Sequence, residues 1–437
     1  MKRVIISGAA GRDFHNFNIC FKGSSNHRVV GFTATQIPGI EGRVYPAEFA
    51  GKNYPEGIPI YPETALPKLV ESQRVDVVTL AYSDISYEEL GRKASLALSH
   101  GADFLLVAPQ RTMLESKVPV ISVCGVRTGV GKSTVTRAIA SILNKRRIRM
   151  VVVRHPMPYG NLLDQNVQRF GKLEDLDRYH CSIEEREEFE PHLLMGNTVY
   201  AGVDYEEILR RASQESQMIL WDGGNNDLPF YKPSFHIVVA DPWRAGDETR
   251  YYPSEINIRM ADLLVINKVD SAEPARVDKV EKNLRSLNAE AAIIRSRSEV
   301  MVDEPSRIYG KKVLIVEDGP TVTHGEMPHS AGYLAAKKFG AAEIIDPRPH
   351  AVSVIKETFS KYPHLGPVLP TVGYQEAQVE AIRATIKQCR FDVIVSATPA
   401  DIKRALKIEE QVVNVKYEID ERSREALAEA LRLRGLL

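Results

Sequence analysis

The sequence predicts an α/β protein built from parallel sheets, and three observations support that prediction. Short apolar runs recur along the 437 residues, and many of them are followed by a helical pattern. This alternation is typical of parallel strands covered by helices. A glycine-rich loop directly follows one such run, at residues 118–123. Apolar residues make up 43% of the chain, which suffices for packed cores, and the length suggests about two to four domains.

The first region, residues 1–117, opens with a strand and a short turn, Gly8-Ala9-Ala10-Gly11. The turn resembles those of Rossmann-like domains, so we expect an N-terminal Rossmann-like domain. The full Gly-x-Gly-x-x-Gly motif is absent and no acid ends the second strand, so dinucleotide binding is unsupported. Asp13 and His15 follow the turn and form either an anion or substrate site or part of a purely structural fold. Residues 111–117 are the predicted linker.

The glycine-rich loop at residues 125–134 is the strongest functional signal. It reads Gly-Val-Arg-Thr-Gly-Val-Gly-Lys-Ser-Thr between a strand-like run and a helical pattern, the layout of a P-loop. Glycines let backbone N–H groups converge on phosphates, and the following helix adds its own N-terminal N–H groups. The predicted nucleotide ligands are Gly125, Thr128, Gly129, Val130, Gly131, Lys132, Ser133 and Thr134. We expect Lys132 to bridge the β- and γ-phosphates and Ser133 to bind Mg²⁺.

The spacing of this loop is uncommon, because Gly125 and Gly131 enclose five residues rather than four. It therefore resembles the loop of dethiobiotin synthetase and its relatives, the SIMIBI class of P-loop proteins. Several members carry a lysine, four residues before the second glycine, that reaches across a nucleotide-bridged dimer. Arg127 holds that position here, and we expect a homodimer. Arg127 is either a catalytic guanidinium that stabilises the transferred phosphate or an ordinary solvated arginine.

A second apolar run, at residues 218–222, ends in Asp222 followed by two glycines. Downstream of a P-loop, such an acid is suited to hold a magnesium-bound water opposite Lys132. Asp222 is therefore predicted to be both catalytic and a metal ligand. The strand after the P-loop helix ends at Arg154, which we also predict to be catalytic. His155 beside it is equally suited to a structural hydrogen bond.

A third run ends in Asn267-Lys268-Val269-Asp270, which matches the guanine-recognition motif of GTP-binding proteins. In that motif the aspartate accepts hydrogen bonds from guanine, the lysine lies along the ring and the asparagine braces the loops. The motif favours GTP over ATP, because a site built on such acceptors rejects a base without the matching donors. The acidic run at residues 184–190 is expected to be a solvated helix face. Arg244 either lies on a surface loop, which we expect, or meets phosphate or substrate.

The last region, residues 311–437, is a C-terminal α/β region that either stands alone or extends the sheet of the central domain, residues 118–310. A loop at residues 317–332 follows a strand and precedes a helix, so it lies at the strand's carboxyl end, where α/β ligands bind. Its hydroxyl and imidazole groups suit a second phosphate or carboxylate. The substrate-binding candidates are Thr321, Thr323, His324, Gly325 and Ser330. The alternative is a long crossover loop.

Charge and cysteine content exclude other functions. Lysine plus arginine and aspartate plus glutamate both total 57, and a chain of zero formal charge does not suit nucleic-acid or membrane binding. No apolar run is long enough to span a membrane, and the first residues do not resemble a signal peptide. The four cysteines are scattered, which favours a reducing cytoplasm.

The P-loop, the Trp-Asp-Gly-Gly strand end and the Ile-Asn-Lys-Val-Asp strand end together resemble a family of archaeal and bacterial predicted GTPases. Some of its members are labelled cyclic 2,3-diphosphoglycerate synthetase. The resemblance implies an Mg²⁺-dependent phosphotransferase or ligase that uses GTP or ATP to activate a small phosphorylated or carboxylate substrate. The synthetase label would imply closure of an intramolecular phosphoanhydride. The alternatives are a regulatory or metal-delivery GTPase that acts on a protein partner, and a nucleotide-sensing scaffold.

Overall fold

Three sheets of mainly parallel strands organise the chain, and they confirm the predicted α/β class. The computed structural model describes residues 1–9, 11–34, 40–155, 162–224, 226–372 and 376–437. Within these ranges no helix is both long and apolar enough to cross a membrane.

The first sheet has the strand order β3-β4-β2-β1-β5-β7, and only β3 is antiparallel to its neighbour. Its central strand is buried from Val4 onward, and aromatic rings of the first helix and the segment after it pack on it. The elements are β1 (Lys2–Ser7), α1 (Arg12–Asn16), β2 (His27–Ala34), β3 (Val44–Tyr45), α2 (Ala47–Ala50), β4 (Ile58–Pro62), α3 (Leu66–Ser72), β5 (Val77–Leu80), β6 (Ile85–Ser86), α4 (Tyr87–Ser99) and β7 (Asp103–Leu106).

The central sheet has eight strands in the order β10-β11-β9-β12-β8-β13-β15-β16, and only β10 is antiparallel. Strands β8, β13 and β15 are buried throughout, as expected where helices cover both faces of a sheet. The elements are β8 (Val120–Gly125), α5 (Lys132–Lys145), β9 (Met150–Arg154), β10 (Gln168–Phe170), α6 (Glu174–Arg178), α7 (Ile183–Leu194), β11 (Thr198–Ala201), α8 (Tyr205–Glu215), β12 (Met218–Asp222), β13 (Phe235–Ala240), β14 (Tyr251–Tyr252), α9 (Ser254–Met260), β15 (Leu263–Ile266), α10 (Pro274–Leu287) and β16 (Ala292–Arg295).

The third sheet has the order β17-β22-β21-β18-β19, with β20 beside the end of β18 and β17 antiparallel to β22. It is separate from the central sheet. The elements are β17 (Ser298–Val302), β18 (Lys312–Glu317), α11 (Gly319–Val322), α12 (Ala331–Lys338), β19 (Glu343–Ile345), α13 (Ser353–Lys361), β20 (Leu369–Pro370), α14 (Glu376–Gln388), β21 (Val393–Ala397), α15 (Ile402–Leu406), β22 (Val412–Ile419) and α16 (Glu421–Leu433).

The three units are joined by more than their linkers. Strand β6 of the first unit pairs with β14 of the central unit, which places the loop before β6 beside the P-loop domain. Strand β17 belongs to the third sheet although it precedes residue 311, where we placed the boundary. Helix α16 returns to the central core, where Leu427 and Leu431 are buried with residues of α5 and β16 nearby. The division at residues 117 and 310 stays a prediction.

Candidate active site

The predicted P-loop connects β8 to α5, with Gly125 as the last residue of the strand and Lys132 as the first of the helix. Gly129 and Gly131 have φ angles of +81° and +93°, which L side chains rarely adopt. Ser133 and Thr134 lie in the first turn of α5, whose N-terminal backbone N–H groups point along the helix axis toward the loop. This is the local geometry that the sequence predicts for phosphate binding.

A buried chain of charges runs away from the P-loop lysine. The Lys132 ammonium pairs with Oδ1 of Asp222, whose other carboxylate oxygen pairs with Arg154. Arg154 in turn pairs with Glu188 on α7, and Nε2 of His192 lies 3.7 Å from Oδ2 of Asp222. Adjacent parallel strands place these groups together, because Asp222 and Arg154 are register partners at the ends of β12 and β9.

Burial and neighbouring charges set the protonation of this chain. Burial, and then the nearby Arg154, lower the pKa of Lys132 below its ordinary value. Burial alone would raise the pKa of Asp222, but Arg154 and then Lys132 hold it well below the ordinary value. Burial lowers the pKa of His192, so the imidazole is neutral at pH 7. Lys132 and Arg154 thus pair with the carboxyl groups of Asp222 and Glu188 beside the phosphate loop.

The Asn-Lys-x-Asp segment braces the P-loop directly. Nδ2 of Asn267 donates to the carbonyl of Val130 over 3.1 Å, and Nζ of Lys268 donates to the carbonyl of Gly129 over 2.6 Å. A Cβ on Gly131 would lie 2.1 Å from the Asn267 amide nitrogen, so glycine is required there for this close contact. The exposed Asp270 accepts a hydrogen bond from the backbone N–H of Ser298 over 2.9 Å.

Arg127 joins all three units instead of pointing into solvent. Its side chain is 2% exposed, with Nε 3.0 Å from Asp84 of the first unit and Nη1 3.2 Å from Asp247 of the central unit. Nη2 donates to the carbonyl of His324 in the third unit over 3.0 Å, and the guanidinium lies 3.5 Å from the ring centre of Tyr251. The alternative of a solvated arginine is therefore wrong. The guanidinium is occupied within one chain, so its position gives no support to a nucleotide-bridged dimer.

Arg244, which we expected on a surface loop, is a second support of the P-loop. Its Nη1 donates to the carbonyl of Thr128 over 2.8 Å and to that of Gly325 over 2.5 Å, and Nη2 pairs with Asp241 at 3.0 Å. Thr128 also donates its hydroxyl to Asp84 over 2.6 Å. Both arginines thus fasten the P-loop to neighbouring units through contacts between residues far apart in the sequence.

The predicted acceptor loop lies against the P-loop, but many of its polar groups are engaged within the loop or with its neighbours. Thr321 lies beside Gly129, and Gly325 packs under the carbonyls of Thr321 and Thr128. The hydroxyl of Thr321 donates to Asp318, and that of Thr323 donates to the carbonyl of Gly319. Nε2 of His324 lies 3.4 Å from the hydroxyl of Tyr362, and the N–H of Ser330 donates to Glu317. An acceptor role for these residues stays a prediction.

The acidic run at residues 184–190 is not a solvated helix face, and that expectation was wrong. It forms most of α7, and Glu184, Glu185, Glu187 and Glu190 are each less than 8% exposed. Glu187 accepts hydrogen bonds from the hydroxyls of Thr371 and Thr398 at the ends of β20 and β21. Burial, and then Asp318, raise the pKa of Glu187 well above its ordinary value.

Fold and site together define the class of protein. A P-loop after the central strand of a parallel sheet, an acid at the end of the neighbouring strand and an Asn-Lys-x-Asp loop at the next strand end are the parts of a SIMIBI-class P-loop NTPase. The model of the CobW/HypB/UreG nucleotide-binding domain matches residues 218–295, which include Asp222 and the Asn267 loop. The predicted class is therefore confirmed.

Comparison with individual proteins identifies the family within this class. The chain is 53% identical over 430 residues to arginine synthetase ArcE of Thermococcus kodakarensis, covering 98% of this chain and 96% of that protein. The chain belongs to the family of that synthetase. It is 23% identical to the cyclic 2,3-diphosphoglycerate synthetase of Thermococcus sibiricus over 54% of this chain and 58% of that protein, so the predicted resemblance is confirmed as a distant one. LpxK from Aquifex aeolicus aligns with 80% of the chain and 96% of its own length, with 12% identity and a TM-score of 0.44.

Proposed function

We propose that this chain is a ligase that uses a nucleoside triphosphate to form the guanidinium group of arginine. The observation that carries the proposal is the P-loop, with its buried Lys132–Asp222–Arg154 chain, in a protein similar over 98% of its length to an arginine synthetase. The phosphate site can activate an oxygen atom of a substrate by phosphorylation. The similarity to an arginine synthetase indicates that the product is arginine.

The chemistry follows from comparing arginine with its ureido counterpart, citrulline. The two differ by an NH group in place of the ureido oxygen. That oxygen is a poor leaving group until it is phosphorylated. The ureido oxygen attacks the γ-phosphorus, the bond to the nucleoside diphosphate breaks, and the diphosphate leaves. Ammonia then forms a bond to the ureido carbon, and the carbon–oxygen bond breaks to release inorganic phosphate. Citrulline, ammonia and the triphosphate thus give arginine, the diphosphate and phosphate.

The residues of the buried charge chain have distinct roles in this proposal. Lys132 moves from Asp222 to the β- and γ-phosphates and stabilises the phosphoryl group as it transfers. That movement frees a carboxylate oxygen of Asp222, which together with the Ser133 hydroxyl would hold Mg²⁺. The bound ion would supply neutralisation of phosphate charge. Arg154 stays paired with Glu188 and keeps the Asp222 carboxylate oriented.

We also propose that the base is guanine rather than adenine. Asn267 and Lys268 support this because both brace the P-loop, and the exposed Asp270 keeps a carboxylate oxygen for the base while the other accepts from Ser298.

The test is to incubate the purified chain with citrulline, ammonium, Mg²⁺ and either GTP or ATP, and to measure arginine by mass spectrometry. We expect one phosphate released for each arginine, with higher kcat/KM for GTP. The matched control, Lys132→Ala, should bind citrulline but form no arginine. Triphosphate hydrolysis that is indifferent to citrulline and ammonia would refute the ligase and favour the alternative, a GTPase that acts on a protein partner.

A further inference from the structure

The junction between the first and central units contains a polar cluster that the nucleotide site does not use. Arg12 opens helix α1, directly after the glycine turn, and its Nε lies 2.5 Å from Oδ1 of Asp227. Its guanidinium lies 4.5 Å from the ring centre of Phe230. A Cβ on Gly11 would lie 1.8 Å from the ring of His155, so only glycine allows this contact. The first unit is thus docked at the carboxyl ends of β9 and β12.

Two buried donors in this cluster have no hydrogen-bond partner among the described residues. They are the hydroxyl of Tyr205 and the indole Nε1 of Trp221, in side chains that are 2% and 0% exposed. Buried polar groups in native proteins are almost always paired, because an unpaired one has lost its hydration without compensation. Two such donors in one cluster point to an acceptor that a ligand brings.

Both side chains lie beside the junction. A Cβ on Gly223 would lie 2.4 Å from Nε1 of Trp221, so the indole edge lies against Gly223, the residue after Asp222. The Tyr205 ring lies 5.4 Å from that of His15 on α1 and 4.5 Å from that of Phe230, measured between ring centres. The Tyr205 ring therefore meets the first unit at His15, and the Trp221 ring lies 5.0 Å from that of Phe230, on which Arg12 of the first unit packs.

The cluster also adjoins the phosphate site. Burial raises the pKa of the Cys124 thiol near the end of β8, and the charges of Asp227, Lys132, Arg12 and Asp222 all act on that same pKa. Gly224, two residues after Asp222, also joins the two clusters, because a Cβ on it would lie 3.3 Å from Cβ of Asp227. A ligand at the junction would have the P-loop as its neighbour.

We propose that this junction is the binding site of the second substrate, a zwitterionic amino acid that carries a ureido oxygen, and that the first unit supplies one wall of the site. Tyr205 and Trp221 donate to an oxygen of the amino acid. The Arg12–Asp227 ion pair offers complementary charges to its carboxylate and ammonium groups. The inference rests on the proposed function. It assigns the acceptor to the junction, where Tyr205 and Trp221 hold buried donors without a partner among the described residues, instead of to the 317–332 loop.

Tyr205→Phe is a specific test of the site, because it removes only an oxygen that has no hydrogen-bond partner among the residues that the structure describes. We expect the KM for citrulline to rise about tenfold, the value for one lost hydrogen bond. The KM for the nucleotide should stay within about twofold, and the melting temperature should not fall. Tyr231→Phe is the matched control. Its hydroxyl donates to the carbonyl of Tyr205 over 2.9 Å, so its loss should lower the melting temperature and leave both KM values unchanged.

The outcomes separate this inference from the proposed function. If wild-type protein forms arginine and Tyr205→Phe has the wild-type KM for citrulline, the junction site is wrong and the ligase stands. A variant that changes only the nucleotide KM would also overturn the site, because the hydroxyl would then serve the nucleotide. Wild-type protein that neither binds citrulline in calorimetry nor forms arginine would overturn the ligase and this inference together.

Discussion

Replacing Arg127 by methionine should destabilise the association of the three units rather than abolish the chemistry. The change removes ion pairs to Asp84 and Asp247, whose side chains are only 14% and 15% exposed, and a hydrogen bond to the carbonyl of His324. Breaking a fully buried pair costs about 3–5 kcal/mol. Because solvent reaches both carboxylates, we expect a loss of about 2–3 kcal/mol, which corresponds to a fall of about 5 °C in melting temperature.

The assay combines differential scanning calorimetry with initial-rate turnover measured well below the melting temperature. Arg295→Met is the matched control, because that arginine also pairs with two acids, Asp278 and Glu281, but is 51% exposed. Its loss should cost less than about 1 kcal/mol. In a double-mutant cycle, Asp84→Asn and Arg127→Met together should cost clearly less than the sum of the two changes. Turnover of Arg127→Met should stay within about tenfold of wild type. An unchanged melting temperature with abolished turnover would refute this reasoning and favour the predicted catalytic role of Arg127.

Three further changes test separate parts of the account. Asn267→Ala removes the brace on Val130 and should raise the nucleotide KM while costing about 1–3 kcal/mol of stability; an unchanged KM would contradict the brace. Asp270→Asn keeps an acceptor for the Ser298 N–H and should shift preference from GTP to xanthosine triphosphate in competition assays; retained GTP preference would rule out base selection by this residue. Burial raises the pKa of Glu317 from 4.5 to about 8, so the folded chain holds a proton that the unfolded chain has lost, and stability should fall as pH rises between these values. Glu317→Gln should flatten that fall in melting temperature across the same range, and an unchanged slope would assign it to other groups.

The parts of the site that are each encoded by a short local motif could be predicted from the sequence. The P-loop, Asp222 and the Asn267 loop each follow an apolar run within a few residues, and parallel strands bring such strand ends to one edge of a sheet. The separate third sheet was one of two possibilities. The return of α16 to the central core could not be predicted, because the apolar face of a terminal helix does not say which core it covers.

The errors concern residues whose partners are distant in the chain. Arg127 meets Asp84, which lies 43 residues earlier, and the carbonyl of His324, which lies 197 residues later. Glu187 accepts from Thr371 and Thr398, which are 184 and 211 residues away, so its run of acids looks solvated in the sequence. When the partner of a charged side chain is distant in the chain, the sequence does not show whether that side chain is buried or exposed.

The most direct test of the proposed ligase is to measure whether the ureido oxygen is transferred to phosphate. Citrulline labelled with ¹⁸O at the ureido group is incubated with the chain, ammonium, Mg²⁺ and the preferred triphosphate, and the released phosphate is analysed by ³¹P NMR. If the ureido oxygen attacks the γ-phosphorus and leaves with it, each inorganic phosphate formed with arginine carries one ¹⁸O atom. Arginine accompanied by unlabelled phosphate would contradict activation of the substrate by phosphoryl transfer.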